Sequence, residues 1–196
     1  METDRLAPGK KNAARLAAHL VFLDESGFLL IPSVQKTWSP VGQTPVLLHR
    51  YRHDRLSAIS GIAVSPRRFR CTLHCHLYED NIQGEAVAAF LRHLLRQIHG
   101  PVIALLDNGK IHRGEPVQEL LARARRLHLE PFPAYAPELN PDEGVWNQLK
   151  RRLANGRPDT KAELMAVLSE EIARLARSQQ LLRGCIHQSE LSSFWP

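Results

Sequence analysis

Two short apolar runs in this sequence stop at an aspartate: VFLD at Asp24 and IALLD at Asp107. A third acid, Glu143 in NPDEGVW, stands at the start of a helical pattern with 35 residues between it and Asp107. Buried strands of open α/β sheets present ligand-binding groups at their carboxyl ends, so acids at two such ends can share a site. An Asp, Asp, Glu set offers only hard oxygen donors, which suits Mg²⁺ or Mn²⁺. Two such ions about 3.5–4 Å apart can activate an attacking water or hydroxyl and stabilise the leaving oxygen of a phosphodiester. Each acid alone has a plainer explanation. Asp24 can open a turn in DESG and Asp107 can cap the loop DNGKIH. Glu143 completes a capping box in which Asn140 is the cap and Pro141 the first helical residue.

Helical phase separates the acids around Glu143. Trp146, Leu149 and Leu153 define the apolar stripe, Asp142 projects near its middle, and Glu143 lies at its flank, where it can turn toward a cleft. Glu138 is a loop acid without a catalytic part. Glu25 follows Asp24, and alternation on a strand turns it away from Asp24. Lys150 lies two turns on, nearly in line with Glu143, and Arg151 and Arg152 follow. The segments HRYRHDR and SPRRFR add Arg50, Arg52, Arg67 and Arg68 as candidate phosphate contacts, with Tyr51 available to stack on a base. For each of these arginines a solvated loop is the competing explanation. Arg123, Arg125 and Arg126 read as an exposed helical face, Trp146 as a core anchor and Trp38 as a loop anchor.

The elements that must carry these groups follow from pattern. LVFL reads as a buried strand turned by DESG, and FLLIPS as a short second strand. LSAISGIAVS and RFRCTLHCHLY form a hairpin. Phe69, Cys71, Leu73, Cys75 and Leu77 share one strand face and His74 and His76 the other, so the histidines read as exposed. The two cysteines of that strand would stand roughly 13 Å apart, too far to bridge. Val87, Phe90, Leu91, Leu94, Leu95 and Ile98 mark a helix ended by Gly100-Pro101. Strand PVIALLD, helix EPVQELLARARR, strand LHLEPFP and helix NPDEGVWNQLKRRLA follow. A last helix runs from the capping box TKAE to about Ser178, before an uninformative tail. Antiparallel strands followed by right-handed β-α-β crossovers predict one α/β domain with a mixed five-stranded sheet and flanking helices. Its limits are residues 19–180, with 1–18 as a lead-in and 181–196 as a tail.

A chain of 196 residues, 43% of them hydrophobic, supports one core and is short for two. No apolar run reaches 18 residues and no signal core opens the chain, so the expected place is the cytoplasm, at the nucleoid, with no membrane partner. A net charge of +6 favours a polyanionic partner. Three cysteines, an odd number, do not read as a disulfide framework.

Taken in order, FLDESGF, LLDNGKIH and YAPELNPDEGVWNQLK resemble the catalytic core of DDE transposases, in particular bacterial insertion-sequence relatives of the mariner group. The likeness runs from about His19 to Arg152 and includes KTWSPVGQTP. It implies a ribonuclease-H-like fold and cleavage and joining of DNA at element ends and target, with Mg²⁺ or Mn²⁺ as cofactor, two ions. By position it makes Asp24, Asp107 and Glu143 the metal ligands. Asp142 occupies a position often apolar in the family. His112 falls near the metals or the DNA, or is a packed or solvated loop histidine. Only about 18 residues precede the first catalytic strand, too few for the helix-turn-helix modules of the family. That predicts a split gene with a separate or frameshift-fused recognition partner, or a truncated relic; a homodimer is also compatible. Two other activities share these acids: another ribonuclease-H-like nuclease, and an inactive remnant that only binds DNA or a partner.

Overall fold

The computed structural model describes residues 16–30, 36, 38–43, 54–67, 70–133, 136–154 and 158–191. Five strands form one sheet: β1 (His19–Leu29), β2 (Arg55–Val64), β3 (Cys71–Tyr78), β4 (Val102–Leu106) and β5 (Leu127–Pro131), in the order β3-β2-β1-β4-β5. The first three pair antiparallel, while β1 with β4 and β4 with β5 pair parallel. Helices α1 (Gly84–Gln97) and α2 (Glu115–Arg123) supply the crossovers. Helices α3 (Asp142–Leu153), α4 (Lys161–Arg177) and α5 (Gln179–Gln188) follow β5. The expected mixed five-stranded α/β sheet is what the chain forms.

The period of two along β1 divides the core. Leu20 and Phe22 face one cluster, with Val145, Trp146 and Leu149 of α3 and Leu164, Leu168 and Leu182 from α4 and α5. Val21 and Leu23 face the other, with Val87, Phe90, Leu91 and Leu94 of α1 and Val117 of α2. Strand β2 lies between β1 and β3 and is buried at every position after Arg55, so it has no polar face. A sheet covered on both sides demands that uniformity.

Several sequence expectations change. DESG is not a turn: β1 runs unbroken to Leu29, and β2 pairs with it residue for residue from Leu20↔Val64 to Leu29↔Arg55. The ladder with β2 continues through this stretch and pairs the backbone groups on that side, which outweighs the local turn preference of Asp, Ser and Gly. FLL accordingly continues β1 rather than returning as a second strand. His74 and His76 are half-buried rather than exposed, because α1 covers that face of β3 and sets His93 against them, with ring centroids 5.7 and 4.6 Å away. Arg126 is not merely an exposed face: its guanidinium donates to the carbonyls of Leu95, Ile98 and Gly100, closing the end of α1. Trp38 anchors nothing among the described residues and is fully exposed. The boundary read at residue 180 falls inside α5, whose Leu182, Cys185 and Ile186 belong to the core. At the outer strand, the Gln179 amide accepts from Cys71 N–H at 3.0 Å and donates to Cys71 C=O at 2.6 Å, blunting an otherwise unpaired edge. The cysteines Cys71, Cys75 and Cys185 are all free.

Candidate functional site

Asp24 sits where β1 leaves β4. Their parallel pairing is last seen at Phe22↔Leu105, two residues before Asp24 and Asp107, and both acids border one cleft. Asp24 faces α3, where the Trp146 indole N–H donates to its Oδ2 at 2.9 Å. Trp146 is otherwise buried and edge-on to Phe28, so one side chain both anchors α3 to the sheet and orients an acid. Asp107 lies just beyond β4. Its Oδ1 accepts from Gly109 N–H at 2.7 Å and stands 2.8 Å from His112 Nδ1.

Glu143 arrives from the other side through the start of α3. The Asn140 side chain accepts from Asp142 N–H at 3.1 Å, as a cap should, but the reciprocal half of the capping box is missing. The Asn140 N–H already donates to Pro137 C=O, in the short 3-10 turn Pro137–Leu139. Glu143 is thereby left to line the cleft. The box at α4 shows the alternative: Thr160 accepts from Glu163 N–H at 3.2 Å, and the Glu163 carboxylate turns back to Asp159 N–H at 2.8 Å.

Asp24, Asp107 and Glu143 therefore border one open cleft of about 470 Å³, completed by Asn108, Gly109, Phe132, Pro133, Ala136, Pro137 and Asn140. Among the described residues no three His, Cys, Asp or Glu side chains converge to the spacing of a bound ion. Burial pushes the Asp24 carboxyl up to about 6; the Trp146 hydrogen bond opposes this, and the charges of Glu25 and Glu143 add to it. Carboxylates that raise one another in this way are relieved by a divalent cation, and an all-oxygen set is the donor chemistry that Mg²⁺ and Mn²⁺ prefer.

The other acids separate as their phase predicts. Asp142 is fully buried beneath the cleft, and neither of its oxygens finds a hydrogen-bond partner among the described residues. Burial first, and then the charge of Asp24, holds its carboxyl well above the usual range; the nearby Ser60 hydroxyl pulls the other way, short of a sound hydrogen bond. Glu25, expected to face away from Asp24, holds His112 Nε2 at 3.0 Å. His112 is buried at 4% exposure and its Nδ1 also lies 3.1 Å from Asp107 C=O. Burial alone would lower this imidazole, but the contacts with Glu25 and Asp107 outweigh it and raise its pKa. Sequence reasoning left His112 between a place near the metals and a packed or solvated loop histidine, and it missed both the link to Glu25 and the indole bond of Trp146. The only hint was that both residues stood beside or within the acid motifs.

Of the basic candidates, Lys150, Arg151 and Arg152 are exposed on α3. Arg152 borders a shallow surface with Glu170, Glu171, Arg174 and Arg177 of α4, away from the cleft. Arg67 is exposed in the β2–β3 turn. Arg50, Arg52 and Arg68, with Tyr51, lie outside the described residues.

A family model described as DDE superfamily endonuclease matches residues 19–165. No curated protein matches the sequence. Among solved structures, the Mos1 transposase paired-end complex with left transposon end is 19% identical, with a TM-score of 0.67 over 98% of this chain and 58% of that one. The catalytic domain of Mos1 mariner transposase is 16% identical, with a TM-score of 0.63 over 98% of this chain and 87% of that one. The Mos1 catalytic domain with Raltegravir and Mg is also 16% identical, with a TM-score of 0.60 over 97% and 92%. The likeness establishes the fold as ribonuclease-H-like. This chain spans just under three-fifths of the length of the full transposase that it matches.

Proposed function

Since the chain belongs to the DDE superfamily of endonucleases, we propose that it is the catalytic domain of a transposase, cutting and joining DNA phosphodiesters at element ends with Asp24, Asp107 and Glu143 as its metal ligands. Enzymes of this type use divalent metal, and the finer reading is a pair of Mg²⁺ or Mn²⁺ ions held by these three acids. The observation that carries it is the shared cleft: residues 24, 107 and 143, from three separate elements, border one open space.

When bound, the metal supplies positive charge to the phosphate oxygens and makes water or a 3′-hydroxyl a better nucleophile. The protein contributes orientation. Trp146 holds Asp24 by its Oδ2. Gly109 N–H donates to Asp107 Oδ1, and His112 Nδ1 stands beside that oxygen and is hydrogen-bonded to the Asp107 carbonyl. Glu143, free of its capping role, closes the third side from α3. The open cleft admits a duplex edge, and Lys150 stands on the same face of α3 as Glu143, about two turns away, where it can meet the DNA backbone.

The test is Asp107→Asn. It should abolish Mg²⁺- or Mn²⁺-dependent nicking of supercoiled plasmid while leaving the melting temperature nearly unchanged. Nicking retained in a clean preparation overturns the assignment. Comparing element-end duplexes with short RNA–DNA hybrids then decides the substrate: faster turnover of hybrids would make the protein a different ribonuclease-H-like nuclease.

A further inference from the structure

We infer that Glu25 and His112 are positioning residues that fix the Asp107 carboxylate for metal binding, an inference that rests on the reading of Asp107 as a ligand. Glu25 on β1 and Asp107 just beyond β4 lie 82 positions apart in the sequence. The His112 ring spans them, with Nε2 3.0 Å from Glu25 Oε1 and Nδ1 2.8 Å from Asp107 Oδ1.

Three features make this a strut rather than an incidental contact. The ring is buried, whereas Asp107 is 67% exposed, so the rigid member orients the free one. Both ring nitrogens face only oxygen acceptors, so rotation of the imidazole would cost a buried hydrogen bond. Finally, Gly109 N–H donates to Asp107 Oδ1, and His112 Nδ1 stands 2.8 Å from the same oxygen while hydrogen-bonded to the Asp107 carbonyl, whereas Oδ2 takes no hydrogen bond from any described residue and is left for a cation. The tight 3-10 turn Lys110–His112 is what returns the ring to Asp107. A Cβ on Gly109 would stand 2.8 Å from Asp107 Oδ1 and 3.3 Å from His112 Nδ1, so a larger residue there would push the carboxylate or the ring out of this arrangement. Glu25 reaches His112 because alternation along β1 turns it to the sheet face opposite Asp24. One strand thus carries a ligand on one face and the support of another ligand on the other.

Groups of this kind, bonded behind a metal ligand, typically change metal affinity or activity 10–100-fold when removed. The experiment is Mn²⁺ titration of the full chain by calorimetry, alongside thermal melting and plasmid nicking. His112→Ala and Glu25→Ala should each weaken Mn²⁺ about 10–100-fold. They should also lower kcat for nicking and leave KM for DNA unchanged. Glu25→Gln, which keeps an acceptor at the same place, should stay within about threefold of wild type. The double variant should be no weaker than His112→Ala, since the two act through one ring. His112→Asn, which keeps a donor toward Asp107 but cannot reach Glu25, should fall between, and it keeps the test readable should the alanine variant not fold. A folded His112→Ala or His112→Asn protein that binds Mn²⁺ like wild type overturns the inference. Asp107→Asn separates the two levels. If it loses Mn²⁺ while the His112 and Glu25 variants do not, only the positioning role fails; if it too binds normally, the ligand assignment itself fails.

Discussion

At the scale of single residues, the start of α3 carries two adjacent carboxylates with opposite fates, and one helical step of about 100° accounts for the difference. Asp142 turns into the core and Glu143 into the cleft. An acid with no hydrogen-bond partner in a fully buried position stays folded only by keeping its proton. The sign of its effect on stability follows. Its folded pKa is raised well above the unfolded value, mainly by burial. Between those two values the folded protein holds a proton that the unfolded chain has released, so stability falls as pH rises through that window. Asp142→Asn removes the titration while keeping the shape. The variant should therefore gain on wild type as pH rises above the ordinary carboxylate range. Melting curves at several pH values check this; a difference independent of pH would mean that Asp142 is ionised when folded. Both carboxylates were legible in the sequence through helical phase. What was not legible was the support that Asp24 receives, because Trp146 reaches it across 122 positions and no local pattern encodes such a contact.

At the scale of elements, position depends on close approach as much as on capping. Gly144, inside α3, looks like a cost in the sequence, since glycine weakens a helix interior by about 1 kcal/mol relative to alanine. Its reason is tertiary: a Cβ there would stand 2.8 Å from Cys185 Cβ and 3.0 Å from Cys185 Cα on α5. Gly144→Ala should therefore destabilise the protein by roughly 1–3 kcal/mol despite its better helix propensity. Because α3 must shift to admit the methyl, Glu143 should move with it, and Mn²⁺ affinity should fall along with the melting temperature. A variant more stable than wild type would show that propensity outweighs contact here. Helix α5 itself shows why local reading stops short. QQLLRGCIHQ carries a glycine and few charges, and it is ten residues long, so an isolated helix of this kind would be marginal. It forms because Leu182, Cys185 and Ile186 have a core to enter, and because Ser178 caps it by accepting from Leu181 N–H at 3.2 Å. DESG fails for the converse reason, a turn-forming tetrapeptide held extended by a neighbour on β2. Strand alternation and helix periodicity were readable wherever one element decided its own fate; where two elements decided jointly, they were not.

At the scale of the whole molecule, a net charge of +6 coexists with a cleft bordered by three acids, so any DNA must be held by the surface around the site rather than by the site itself. The geometry of α3 sorts the cations that could do so. Lys150 is seven residues from Glu143 and returns to within about 20° of its face, roughly 10 Å along the axis. Arg151 is about 80° away, and Arg152 is on the opposite side. There Arg152 borders a surface with Glu170, Glu171, Arg174 and Arg177 of α4, away from the three acids. The run LKRR is therefore not a uniform phosphate clamp. If DNA lies across the cleft, Lys150→Ala should weaken binding to duplexes of any sequence and reduce the slope of log affinity against log salt by about 1. Arg151→Ala should do so in part, and Arg152→Ala should leave the slope unchanged. Fluorescence anisotropy with a labelled duplex over a salt series, in the presence of Ca²⁺ to prevent turnover, measures all three. Equal losses for Lys150 and Arg152 would show that general basicity holds the DNA; a loss confined to the Glu143 face of α3 places the duplex over the three acids.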